Sequence, residues 1–142
     1  MFAVHVRGTA VCIKEVTERV MIPNGSGKIV NVASLCNHSG AGGMSSYCAA
    51  KAAITQLTLG GARGLGRHGI NMNCVSPGNV RSPMTQFMFS DPAREAAVAS
   101  EVVFGHVGDS VDIAYPIVFL CSEWARWIVG TDLNVSAGQV IY

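Results

Sequence analysis

Tyr47 and Lys51 stand four residues apart in S-S-Y-C-A-A-K-A-A (45–53), so on a helix they share one face, a turn from each other. A nearby ammonium stabilises a phenolate over the phenol, which draws a tyrosine's ionisation down from about 10 toward working pH. That is how a tyrosine becomes a general acid/base. Alone, Y-x-x-x-K is a weak signal, because a surface tyrosine beside a solvated lysine reads the same way. Ser34 strengthens it. This serine closes the apolar run 29–33, thirteen residues before Tyr47. A hydroxyl at the C-terminal end of a strand faces the ligand crevice of an open α/β sheet. The remaining reactive side chains form no such set. Cys12, Cys36, Cys48, Cys74 and Cys121 are odd in number and contain no C-x-x-C pair, which predicts reduced, mostly buried thiols. The four histidines make no H-x-x-x-H pair, so no metal site is expected.

The elements that must position these groups are short and alternate. Apolar residues at Val4, Ala10, Val11, Ile13, Val16 and Val20, with Lys14, Glu15, Glu18 and Arg19 between them, predict an amphipathic helix over 2–21. A turn at 23–27 follows, then a β-branched strand at 29–33. Residues 39–46 read as a Gly/Ser loop in which Ser45 or Ser46 caps a helix running through Lys51 and Leu57. A second strand is predicted at 70–75, ended by Ser76, Pro77 and Gly78, and a helix at 91–102. Ser110 and Asp112 open a further helix through Leu120, in which Pro116 must cost a hydrogen bond or bend the axis. A last strand falls at 132–135. Strands separated by helix-length stretches imply parallel βαβ units.

Composition sets the boundary conditions. The 142 residues suffice for one domain, read here as 1–142. Hydrophobic residues make up 49% and charged residues 13%, about half the usual share, which excludes a disordered chain. A net charge of +1 without like-charge runs argues against nucleic-acid or polybasic membrane binding. No apolar stretch approaches the roughly 18 residues that span a bilayer, and His5, Arg7, Lys14 and Glu15 break up any signal-peptide core, so a cytoplasmic location is expected. So few charges suggest that much of the surface meets other protein.

Strand, serine, Gly/Ser loop, Tyr-x-x-x-Lys helix, strand and Pro-Gly loop together closely resemble the short-chain dehydrogenase/reductase family. The matching blocks are I-V-N-V-A-S (29–34), S-S-Y-C-A-A-K-A-A (45–53), H-G-I-N-M-N-C-V-S-P-G-N-V-R-S-P-M-T (68–85) and G-T-D-L-N-V-S-A-G (130–138). The resemblance implies a partial Rossmann-like, doubly wound parallel sheet. It corresponds to the C-terminal catalytic half of the family fold, with the N-terminal βαβ units missing. It implies NAD or NADP as cofactor and interconversion of a small-molecule alcohol and ketone. Tyr47 would exchange the proton with the substrate oxygen, Lys51 would lower its pKa and hold the nicotinamide ribose, and Ser34 would orient that oxygen. Pro77, Gly78, Val80 and Ser82 match the loop at the nicotinamide end. Helices matching 2–21 and 46–66 build subunit interfaces in the family, which implies a homo-oligomer. A non-catalytic module that associates with itself or with full-length relatives is the alternative.

The sequence departs from the family pattern in three places. F-A-V-H-V-R-G-T places His5 where a tetrad asparagine is usual, and a neutral imidazole there can still hold a water near Lys51; it reads equally as a plain helix-start residue. Ser136 occupies a position where aspartate is common. The family's strand, Gly-rich turn and helix do not open the chain, so the isolated chain is expected to bind cofactor weakly and turn over slowly or not at all. Gly60, Gly64 and Gly66 satisfy the spacing G-x-x-x-G-x-G, but they follow the Tyr-x-x-x-Lys helix rather than a strand, and are expected to be helix. Met84, Phe87, Met88 and Phe89 point either to an apolar ligand or to packing.

Overall fold

The structure, a computed structural model, describes residues 1–141. A helical run over 2–24 (α1) opens the chain, with α-helical Thr9–Val16 between π-wound turns at Ala3–Gly8 and Thr17–Met21. It continues past the predicted end through Pro23, whose fixed φ suits the first positions of the closing turn, and stops at left-handed Gly25. Strand β1 (Gly27–Val32) follows, then a single helical turn α2 (Cys36–Ser39), the long helix α3 (Ser45–Leu65) and strand β2 (Ile70–Pro77). Two-residue β3 (Val80–Arg81) precedes α4 (Pro92–Ser100), β4 (Gly108–Asp109), α5 (Ser110–Cys121) and β5 (Asp132–Val135).

The sheet is three-stranded, ordered β1-β2-β5 and parallel throughout. Gly27 to Val32 pair with Ile70 to Val75, and Cys74 to Pro77 pair with Asp132 to Val135. The short β3–β4 ladder was not foreseen from sequence. α3 covers one face. A Cβ on Gly61 would come within 2.7 Å of Met72 Sδ, which measures how closely the helix lies on β2. α5 covers the other face, where Val75, Ile113, Leu120 and Ala125 form the buried cluster. Between α3 and β2, left-handed Gly69 stands so close to the Gly25 carbonyl that a side chain would collide with it.

Local capping differs from expectation. α3 starts after Met44 with no side-chain cap, so neither Ser45 nor Ser46 serves. α5 does open at Ser110, and Asp109 before it caps the helix in a reciprocal box with Asp112. Pro116 does sit inside α5, with no N–H to offer the Asp112 carbonyl. The thiols are not mostly buried: Cys12 and Cys121 are exposed, Cys36 and Cys48 half-buried, and only Cys74 lies in the interior. No helix among the described residues is long and apolar enough to cross a membrane.

The low charge has a visible counterpart. α1 buries only Thr17 and leaves Val4, Val11 and Val20 outside. Tyr115 and Val118 on α5 are exposed, as are Trp124 (85%) and Trp127 (94%).

Candidate active site

The sheet delivers its chemistry at the C-terminal ends of β1 and β2. Beyond Val32 the chain stays in register for one more bond, Ala33 N–H to the Val75 carbonyl at 2.8 Å, and Leu35 N–H then reaches the Pro77 carbonyl at 3.0 Å. Between them Ser34 is buried at the strand end. Its hydroxyl accepts the Cys36 N–H at 3.3 Å and its carbonyl accepts the Asn37 N–H at 3.0 Å, so Ser34 starts the α2 turn.

α3 presents Tyr47 and Lys51 one turn apart, as their spacing requires. The Lys51 ammonium stands 5.7 Å from the centre of the Tyr47 ring and donates to the Val32 carbonyl at 2.9 Å. Lys51 is 8% exposed, and burial draws its pKa below the ordinary lysine value. His5 comes in from α1. Its ring meets that of Tyr47 edge-on, with centres 6.2 Å apart and planes at 87°. Burial first, then the Lys51 charge and the chain's amino terminus, lower its pKa, so the imidazole is neutral at pH 7. Tyr47 also borders a cleft of about 400 Å³ with Met1, Gly43, Met44, Ser45 and Ser46.

The loop after β2 is fixed from below. Gly78 N–H donates to the Val135 carbonyl at 3.0 Å and Asn79 N–H to Gln139 Oε1 at 2.9 Å. A Cβ on Gly78 would lie 2.8 Å from Ser136 Cα, so the glycine is needed for the approach of these two loops. Thr85 Oγ1 donates to the Val80 carbonyl at 2.6 Å and lies 3.0 Å from both the amide and the hydroxyl of Ser82. A second cleft of about 460 Å³ lies here, lined by Arg81, Ser82, Pro83, Gln86 and Phe89. Met84 and Phe87 are exposed beside it. Gly60 and Gly64 lie within α3 and Gly66 just after it, so that stretch offers no helix N-terminus to a phosphate.

Sequence reasoning missed a polar hub under this site. Asp132 Oδ2 receives Asn37 Nδ2 at 2.8 Å and lies 2.7 Å from His38 Nε2, while Oδ1 receives Ser76 Oγ at 2.6 Å and Cys74 Sγ at 3.2 Å. Burial alone would raise the Asp132 carboxyl, but hydrogen bonds from Ser76, His38, Cys74 and Asn37 outweigh it and hold the group below the ordinary aspartate range. The available signal was a lone carboxylate opening a short, half-buried strand. Among the described residues, no group of three or more His, Cys, Asp or Glu side chains could hold a metal ion.

Comparison with known proteins finds relatives named as dehydrogenases and reductases. The family model described as enoyl-(acyl carrier protein) reductase matches residues 1–139. The (3R)-3-hydroxyacyl-CoA dehydrogenase of Mus musculus is 36% identical over 139 residues, 97% of this chain and 52% of the relative. The estradiol 17-beta-dehydrogenase 8 sequence of Callithrix jacchus is 35% identical over 132 residues, covering 93% of this chain and 97% of the relative. The solved structure of ElxO with NADP bound superimposes with a TM-score of 0.88 at 29% identity, over 95% of this chain and 54% of that one. The chain therefore spans about half the length of the first of these relatives and of the solved structure.

Proposed function

The chain belongs to the short-chain dehydrogenase/reductase family, and on that premise we propose that it carries the proton-transfer and nicotinamide end of an NAD(P)-dependent site that interconverts an alcohol and a ketone. The observation that carries this reading is the grouping of Tyr47, Lys51 and His5 at the C-terminal end of β1, where Lys51 bonds the Val32 carbonyl two residues before Ser34. The hydroxyls of Ser34 and Tyr47 and the Lys51 ammonium are a donor set suited to a substrate oxygen and a ribose diol, so the residues present fit the nicotinamide end of the cofactor. When bound, the cofactor supplies or accepts the hydride.

Tyr47 gives its phenolic proton to the carbonyl oxygen in reduction and takes it from the hydroxyl in oxidation. The Lys51 charge stabilises the negative charge that develops on the Tyr47 oxygen, and Lys51 holds the ribose. Ser34 orients the substrate oxygen. His5, neutral and beside both, holds water for proton exchange with Lys51. The backbone at Pro77, Gly78 and Val80, with Ser82, cradles the nicotinamide. No strand, glycine turn and helix N-terminus for a pyrophosphate occurs among the described residues, so the isolated chain binds the whole cofactor weakly and turns over slowly. The test is oxidation of a secondary alcohol by the 142-residue chain with NAD(P)⁺ and with nicotinamide mononucleotide. Slow, Tyr47-dependent turnover, about as fast with the mononucleotide, is expected. Turnover unchanged in Tyr47→Phe overturns the proposal.

A second reading rests on the exposed valines of α1, which would be covered if copies of the chain pair through α1 and α3. Light scattering decides it: a dimer or tetramer is expected, and a monomer at all concentrations contradicts it.

A further inference from the structure

Asp132 touches neighbours of Ser34, Lys51 and Pro77 and none of the three themselves. Asn37 and His38 belong to the turn that Ser34 starts. Ser76 directly precedes Pro77, the last residue of β2, and Gly78 follows. Thr55, whose hydroxyl lies 3.4 Å from Asp132 Oδ2 and 2.6 Å from Asn37 Nδ2, follows Lys51 by one turn on the same face of α3. Asn37 Nδ2 lies within 3.1 Å of Ser76 Oγ as well, so one amide bridges α2, α3, β2 and β5. The two partners of the central bond are 95 residues apart in sequence.

We infer that Asp132 is a positioning residue that fixes the Ser34 turn against the Tyr47–Lys51 face of α3; this deepens the proposed function and rests on it. A buried carboxylate is costly, and an apolar residue would serve the β5 ladder as well, since that ladder uses only backbone groups. What the carboxylate adds is direction. Two acceptor oxygens receive donors from three separate elements and so bring α2, α3 and β2 together at one point. Cys74 completes the shell as an S–H donor, its pKa pushed up to about 12 by burial first and then by the Asp132 charge. With the hub in place, the turn after Ser34 keeps one orientation relative to α3. Without it the turn loses the acceptor that Asn37 and His38 share, and the Thr55 and Ser76 hydroxyls and the backbone bonds are left to hold a four-residue turn that is marginal by itself.

The test uses the 142-residue chain with Asp132→Asn and Asp132→Val, read by amide exchange in NMR and by steady-state alcohol oxidation. In Asp132→Val the Asn37, His38 and Ser39 amides should exchange about tenfold faster, while those of Met72 and Val75 on β2 keep their rates. The kcat should fall about tenfold with KM changed less than about twofold, because positioning of the reacting groups is lost rather than uniform binding. Asp132→Asn keeps one acceptor oxygen and should recover part of both effects. If Asp132→Val does not fold, Asn37→Leu cuts the same bridge from the turn and should give the same pattern. Wild-type exchange in the turn overturns the inference. So does faster exchange with kcat unchanged, and in that case the proposed function stands. Oxidation that ignores Tyr47 overturns the proposed function itself, and the exchange rates then decide whether Asp132 holds the turn.

Discussion

The Lys51 ammonium hydrogen-bonds the Val32 carbonyl at 2.9 Å, two residues ahead of Ser34, while standing 5.7 Å from the centre of the Tyr47 ring. One cation thus ties α3 to the end of β1 and sets the field that both Tyr47 and His5 feel. Its burial has an electrostatic cost, visible as its lowered pKa.

His5 should titrate below 6.5 in the folded chain, because burial and the Lys51 charge both oppose its protonation. In Lys51→Met the His5 titration should move up but stop short of the ordinary value, since burial is the larger cause. Imidazole proton shifts in NMR report this directly. A His5 titration indifferent to Lys51→Met would separate the two residues.

Gly60→Ala and Gly64→Ala should each stabilise the chain by about 0.5–1 kcal/mol, since both positions are exposed helix with open space where a Cβ would stand. Nucleotide binding should not change. Denaturant unfolding measures the first point and ligand titration the second. Loss of nucleotide binding in either variant would return these glycines to a phosphate-binding role.

Asp132 should make stability depend on acid. Its folded pKa is held below the ordinary 3.8, so its contribution is fully present above the unfolded value and is lost as pH falls through the folded one. Asp132→Asn should be less stable than wild type at pH 6, and the gap should shrink steadily below about pH 4. Thermal melts across pH 2.5–7 read the slope; parallel curves for the two proteins would contradict it.

Leu120→Ala should cost about 2–5 kcal/mol, because Leu120 is fully buried against Val75, Ile113 and Ala125 on the face opposite α3. The His5 titration should stay where it is, which separates loss of core from loss of site. A loss under about 1 kcal/mol would mean that α5 packs more loosely than described.

Much of this was legible because its causes are local. The β-branched run before Ser34 and the apolar run ended by Pro77 gave both long strands, and the i, i+4 spacing of Tyr47 and Lys51 gave their shared face. The glycine run at 60–66 was read as helix from its place after that face, and it is helix through Leu65. What escaped depends on contacts distant in sequence. C-N-H-S (36–39) has no period to read; Asp132, nearly a hundred residues on, anchors it. The cap of α3 and the exposure of Cys12 and Cys121 likewise follow from neighbours that spacing does not reveal. The apolar stripe of α1 was correctly seen as a helix, but its valines face outward, so amphipathicity alone did not say which face the sheet would take.

The central claim is that this chain holds the nicotinamide end of the cofactor through Tyr47 and Lys51. Saturation-transfer NMR with NADP and the 142-residue chain tests it most directly. Magnetisation should reach the nicotinamide and adjoining ribose protons more strongly than those of the adenine, and that pattern should vanish in Lys51→Met. Stronger transfer to the adenine, or a nicotinamide signal unchanged by Lys51→Met, would contradict the account.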